Sequence, residues 1–211
     1  MAKRTRARAA DGGSRGWIFR AACTEFAAHG FAGANVDRIA AAAGVNKAMI
    51  YYHFKNKAAL YREILNDMFA AVAARLDAMA GEHQTPQGKI RSFVEAIARE
   101  AEARPHFPPI WFREIAEGGA HLEAPTLKIV GGIVQRLARI IREGIDAGRF
   151  KPIDPLLVHA GIVAPLLLYY ASGELRKRLA RAGVARADGY GADDVISHVQ
   201  RVTIGTLEGK M

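Results

Sequence analysis

Apolar residues recur at intervals of three and four through nearly the whole 211-residue chain, and no segment alternates apolar with polar one for one. That period lines side chains along one stripe of an α-helix and is incompatible with a half-buried strand. The chain is therefore predicted to be all-α, with about nine helices. Ile18, Ala21, Ala22 and Phe26 form a first apolar face that stops near Gly30. A short helix follows, capped by Asn35 and pointing Val36, Ile39, Ala40 and Ala43 inward, and Gly44 ends it. Asn46 caps a third helix to about His53, anchored by Ile50 and Phe54.

Lys57 to about Met79 reads as a long helix, long enough to join two domains. Pro86 is placed to open the next, and the proline-punctuated segment 104–125 holds a short apolar helix. A long helix runs from Thr126 to about Ile145. Another spans Pro155 to about Leu179 with a kink expected at Pro165, and Val195 to Leu207 mark the last. No internal repeat is visible.

Half of the residues are apolar, which supports a real core in one or two domains. The single cysteine, Cys23, excludes an intramolecular disulfide or a Cys-based metal site and favours a reducing compartment. The net charge of +9 is concentrated. Residues 1–60 carry ten Lys and Arg against Asp11, Glu25 and Asp37, which is seven of the nine charges. A basic end on a near-neutral body implies a polyanionic partner. The most apolar run, 162–171, is about half of the roughly 20 residues a spanning helix needs, and the basic start leads into no apolar signal region. A soluble, cytoplasmic chain without a membrane partner is expected.

The second and third helices, joined at Ala43, Gly44 and Val45, have the dimensions of a helix-turn-helix. Such a unit puts the start of its second helix into the DNA major groove, where its side chains reach base edges. Lys47, Ala48, Met49 and Tyr51 would then face bases or the adjoining backbone, His53, Lys55 and Lys57 would hold phosphates, and Asn46 and Tyr52 belong to the same DNA-facing surface. On pattern alone, Tyr51 and Tyr52 also fit partly buried core aromatics, and Lys55 and Lys57 also fit a solvated turn. The clustering of two short helices, glycine, polar aromatics, lysines and basic arm within 60 residues is what favours DNA.

The run from Ile18 to Leu65, with A-G-V-N-K-A-M-I-Y-Y-H-F-K-N-K at 43–57, closely resembles the N-terminal domain of the tetracycline-repressor (TetR) family. The resemblance implies a disordered basic arm over 1–14, a helix-turn-helix domain over 15–56 and a helical ligand-binding and dimerisation domain over 57–211. It implies a bacterial regulator acting as a symmetric homodimer, most simply a repressor released from a near-palindromic operator by a small molecule. It places Lys47, Ala48 and Met49 at base-reading positions and Tyr51, His53 and Lys57 at phosphate-contacting ones, with Asn35 capping its helix and touching phosphate. Met49 stands where a small hydroxyl residue is common, Asn35 replaces the usual threonine, and Glu25 occupies a position where a large apolar residue is common. The family's dimer surface falls on 155–179 and 192–208, where Ala160, Gly161 and Ala164 permit close packing.

The effector pocket is expected among the helices between Tyr61 and Tyr170. Its candidate lining is Met68, Phe69, Phe93, Phe107, Trp111, Phe112, His121, His159, Tyr169 and Tyr170, implying a mostly apolar or aromatic effector. Arm residues Lys3, Arg4, Arg6 and Arg8 add general attraction for DNA, enter a minor groove or merely solubilise the chain. Rival readings are fewer. A bundle enzyme would show H-E-x-x-H or a Glu-x-x-His pair, and neither is present; a nucleophile elbow needs a strand before its helix, and no strand is expected in this chain. His121 with Glu117 and Glu123 is spaced too loosely for a metal site, and no cofactor is implied. A membrane-surface protein would need apolar residues in the basic arm. A DNA-binding regulator governed by a protein partner instead of a small molecule shares all the same sequence signals.

Overall fold

In the computed structural model, the described residues are 13–79, 81, 85–184 and 189–210. Among them are ten helices and no strand: α1 (Gly13–Gly33), α2 (Val36–Ala43), α3 (Lys47–Phe54), α4 (Lys57–Ala78), α5 (Pro86–Ala103), α6 (Phe107–Ala116), α7 (Ala124–Asp146), α8 (Pro155–Ala171), α9 (Gly173–Arg181) and α10 (Ala192–Glu208). Most of the expected arm lies outside the described residues, and Gly13 and Ser14 already belong to α1.

The chain divides into two compact units. The first takes in residues up to Met68 together with Pro109–Thr126, and the second Phe69–Pro108 with Leu127–Met211. In the first unit α1 packs on α2 and α3, and its core gathers Ile18, Phe26, Ile39, Ile50, Leu60 and Tyr61, all essentially inaccessible. Gly30 interrupts α1 at φ 69°, ψ −180°, a conformation open to glycine, and the helix resumes for three residues. A side chain at this position would also sit 3.2 Å from the Arg113 Cδ.

In the second unit α5 is the central element. It packs against α8 and α10, and its residues Ile90, Phe93, Val94 and Ile97 are buried. Thr85 caps it, its Oγ1 accepting from the Gly88 amide at 3.1 Å, with Pro86 in the first turn. Glu100 is the buried charge of this helix. Arg75 reaches it at 2.5 Å and Arg104 also pairs with it, which answers the cost of removing a carboxylate from water.

The helix expected from Pro155 to about Leu179 is two helices. α8 runs through Pro165 and ends at Ala171, and α9 departs at 60°. The break sits at Ser172 because Arg176 turns back over it. Its Nη1 donates to the Tyr169 carbonyl and to Ser172 Oγ (2.9 Å), with the guanidinium 3.9 Å from the centre of the Tyr169 ring. The last carbonyls of α8 are thereby satisfied without further helix. No single described helix is long and apolar enough to cross a membrane; only the bent pair α8 and α9 matches one in length and composition.

Candidate nucleic-acid interface

The two short helices of the first unit are fixed by their own ends. Asn35 Oδ1 accepts from the Asp37 amide at 2.7 Å, and Asn46 Oδ1 accepts from the Met49 amide at 3.0 Å. Between them Gly44 adopts φ 66°, ψ 36°. Its amide donates to the Ala41 carbonyl and that of Val45 to the Ala40 carbonyl, closing α2 with a left-handed residue that only glycine adopts without strain. This turn sets the angle at which α3 leaves α2.

α3 commits only Ile50 and Phe54 to the core. Lys47, Ala48, Tyr51 and Tyr52 are exposed, Tyr52 at 80%, and Met49 is half-buried. A tyrosine that solvated is not a core aromatic, so the alternative reading of this pair fails for Tyr52. Lys47 Nζ lies 3.0 Å from the Asp37 carboxylate across the turn, and that hydrogen bond raises the lysine above its ordinary value. The pair is exposed on both sides, so it is weak and exchangeable for another anion.

Two residues expected to hold phosphates are already engaged. His53 Nε2 is hydrogen-bonded to Ser14 Oγ at 2.7 Å, tying α3 to the start of α1. Lys57 is half-buried. Its ammonium donates to the carbonyls of Phe31 (2.9 Å) and Ala34 (3.1 Å) and lies 4.7 Å from the centre of the Phe31 ring. Those carbonyls end α1, so Lys57 acts there as a helix-terminal cation. Lys55 is exposed and ends α3.

Three residues to which the sequence assigned no part in this surface hold it in place. Glu25 Oε1 accepts from the Asn35 amide (2.9 Å) and from Arg38 Nε (2.8 Å), so the carboxylate that replaces an apolar residue locks α1 to the entry of α2. Burial would raise its pKa. The bonds from Arg38 and the Asn35 amide outweigh that effect and hold it below the ordinary 4.5. Arg113 donates to the carbonyls of Phe26 (3.1 Å), Ala27 (2.5 Å) and Ala28 (3.0 Å), ending the first segment of α1. Glu114, fully buried, accepts from Tyr61 Oη (3.1 Å) and the His121 amide (2.7 Å), with His121 Nδ1 at 3.1 Å. The only local hint was a charged pair, Arg113 and Glu114, inside an apolar helix.

The effector candidates divide between the units. In the first, Met68 is core, Trp111 and Phe112 are half-buried, and the His121 ring lies 4.1 Å from that of Phe31, tilted by 48°. Glu117 brings the donors there to three with Glu114 and His121, a grouping of metal-ligand type. In the second unit Phe69 meets Phe107 edge-on at 5.7 Å, Phe93 faces His159 at 6.4 Å, and Tyr169 meets Tyr170 at 5.2 Å. Phe93 also lines a cavity of about 150 Å³ between α4, α5 and α7.

Two family models match the chain. "Bacterial regulatory proteins, tetR family" covers residues 18–64, and "Tetracyclin repressor-like, C-terminal domain" covers 86–190. The chain belongs to the TetR family. Its curated relatives are named as helix-turn-helix transcriptional regulators. The repressor SCO4008 of Streptomyces coelicolor is 54% identical over 48 residues, 23% of this chain and 25% of that one. RutR of Escherichia coli is 27% identical over 138 residues, 65% of each chain. The matches thus span a quarter and slightly under two thirds of those relatives' lengths. Solved structures share the TetR fold over nearly the full chain. FadR from Bacillus subtilis aligns with TM-score 0.70 at 19% identity, over 90% of this chain and 98% of that one. PfmR from Thermus thermophilus aligns with TM-score 0.68 at 24% identity, over 90% and 98%.

Proposed function

We propose that the protein is a repressor that grips a near-palindromic operator as a homodimer and lets go when a small, mostly apolar effector binds its second unit. The observation that carries the DNA reading is α3 itself: a helix capped at its start by Asn46, anchored by two residues, with Lys47, Ala48, Tyr51 and Tyr52 left to solvent. Lys47, Ala48 and Met49 read bases; Tyr51, Tyr52 and Lys55 hold phosphates; Asn35 touches the backbone from the start of α2. His53 and Lys57 serve mainly by fixing α3 and α4 to α1.

One recognition helix makes too few base contacts for a useful site, so a two-fold pair is required. α8 offers a surface for it. Leu157, Ala160, Gly161, Ala164 and Leu168 are exposed along one side at helical spacing. Repression is supported by the relative SCO4008, described as a repressor. Control by a small molecule is supported by the Bacillus subtilis FadR, whose structure is a complex with stearoyl-CoA.

Footprinting the purified protein on DNA flanking its own gene, near physiological salt and against an unrelated fragment, tests the reading. A protected near-palindrome is expected. Equal, salt-sensitive binding to both fragments would refute sequence-specific recognition.

A further inference from the structure

The cavity of about 150 Å³ in the second unit has a composition that narrows its ligand. Leu76 of α4, Phe93 of α5 and Ile140 of α7 give it apolar walls, and all three are buried. Ser92 also lines it. The residue is only 7% exposed, and its buried Oγ has no hydrogen-bond partner among the described residues. A buried hydroxyl left unpaired costs free energy that a bound acceptor would return.

The charged groups at this cavity are not equivalent. Lys89 is paired with Glu143 at 2.5 Å, and Arg136 is paired with Asp77. Arg139 lines the same cavity, is exposed, and has no acceptor among the described residues. One guanidinium without an acceptor among the described residues therefore stands at the solvent edge of a cavity whose apolar part, walled by Leu76, Phe93 and Ile140, also carries an unpaired hydroxyl.

Resting on the reading of the protein as an effector-controlled regulator, we propose that this cavity binds a small monocarboxylate with a compact apolar body, such as an aromatic or branched-chain acid. The size fits. A cavity of this volume accepts a benzene-sized body. The carboxylate meets Arg139, where a guanidinium offers two parallel donors, and the apolar body fills the space between Leu76, Phe93 and Ile140. α4 contributes both to this cavity, through Leu76, and to the first unit, through Lys57, so a ligand here touches the element the two units share.

Calorimetric titration of the full chain with benzoate, and with benzamide as its uncharged isostere, tests the proposal. Benzoate is expected to bind roughly tenfold or more tighter than benzamide, the factor that a charge-assisted hydrogen bond supplies. Arg139→Gln should bring benzoate down to the benzamide level, and Arg139→Lys should retain most of the difference. Arg139 is exposed, so neither variant threatens the fold. Absence of benzoate binding, equal binding of the two probes, or indifference to Arg139→Gln would each overturn it. An intact operator footprint with no benzoate binding refutes this site alone. Benzoate binding without a specific footprint refutes the regulator reading and leaves the site standing.

Discussion

Lys55 is the most strained residue of the reading unit. Its φ of 64° and ψ of −50°, with the Asn56 amide donating back to the Phe54 carbonyl at 2.7 Å, make it the centre of a tight γ-turn of the unfavourable hand. Lys55→Gly is expected to raise the unfolding free energy by about 1 kcal/mol, the strain of roughly 1–3 kcal/mol less the added freedom of glycine in the unfolded chain. If Lys55 holds a phosphate, the same variant binds all DNA sequences more weakly and its salt slope falls by about 1; denaturant melts and binding titrations read the two effects separately. Glu25 carries a pH prediction. Its folded pKa lies below 4.5, so its contribution is complete above the ordinary carboxylate range and disappears as pH falls through the lowered value. Glu25→Gln should cost about 1–3 kcal/mol at neutral pH and make acid unfolding shallower, measured by stability against pH. The caps Asn35 and Asn46 were legible in the sequence because their bonds close within three residues. The partners of His53 and Lys57 lie 39 and 26 or fewer positions away, and no local pattern signals them.

At the scale of elements, most helices were legible because the spacing of their apolar residues lies within each of them, and α2, α3, α5 and α8 also carry a side-chain cap at their start. The exception is instructive. Pro165 drew the expected kink because proline removes an amide donor and crowds the preceding turn. The chain bends by 60° at Ser172, where Arg176 returns to the end of α8, a side-chain reach that periodicity does not encode. A comparable fit governs the end of α7. A side chain at Gly144 would come within 2.0 Å of the Phe150 ring, whose amide donates to the Gly144 carbonyl at 3.1 Å. Gly144→Ala is therefore expected to lower stability by about 1–3 kcal/mol through overpacking. In a cycle with Phe150→Leu the two losses should sum to more than the double variant shows, since the smaller side chain relieves the clash.

At the scale of the molecule, the proposed dimer and the reading helix make separable demands. Leu157 and Leu168 are 68% and 59% exposed in the single chain, so Leu157→Glu with Leu168→Glu should leave the helical content unchanged. Sedimentation should find monomers, and protection of the full palindrome should require far more protein. A variant that remains dimeric would place the two-fold surface elsewhere. The all-α class and the helix-turn-helix were readable because both are repeated or local patterns. The small cavity was not, because Leu76, Ser92, Arg139 and Ile140 come from three helices and meet only in the folded unit. The frugality of α3 has a consequence for descent. With Ile50 and Phe54 buried beneath it, His53 tied to Ser14 and its start fixed by Asn46, the exposed positions of Lys47, Ala48, Tyr51 and Tyr52 carry little packing duty. A lineage can rewrite them one at a time without passing through an unfolded ancestor, so duplicated copies are free to drift toward new genes while the scaffold beneath stays the same.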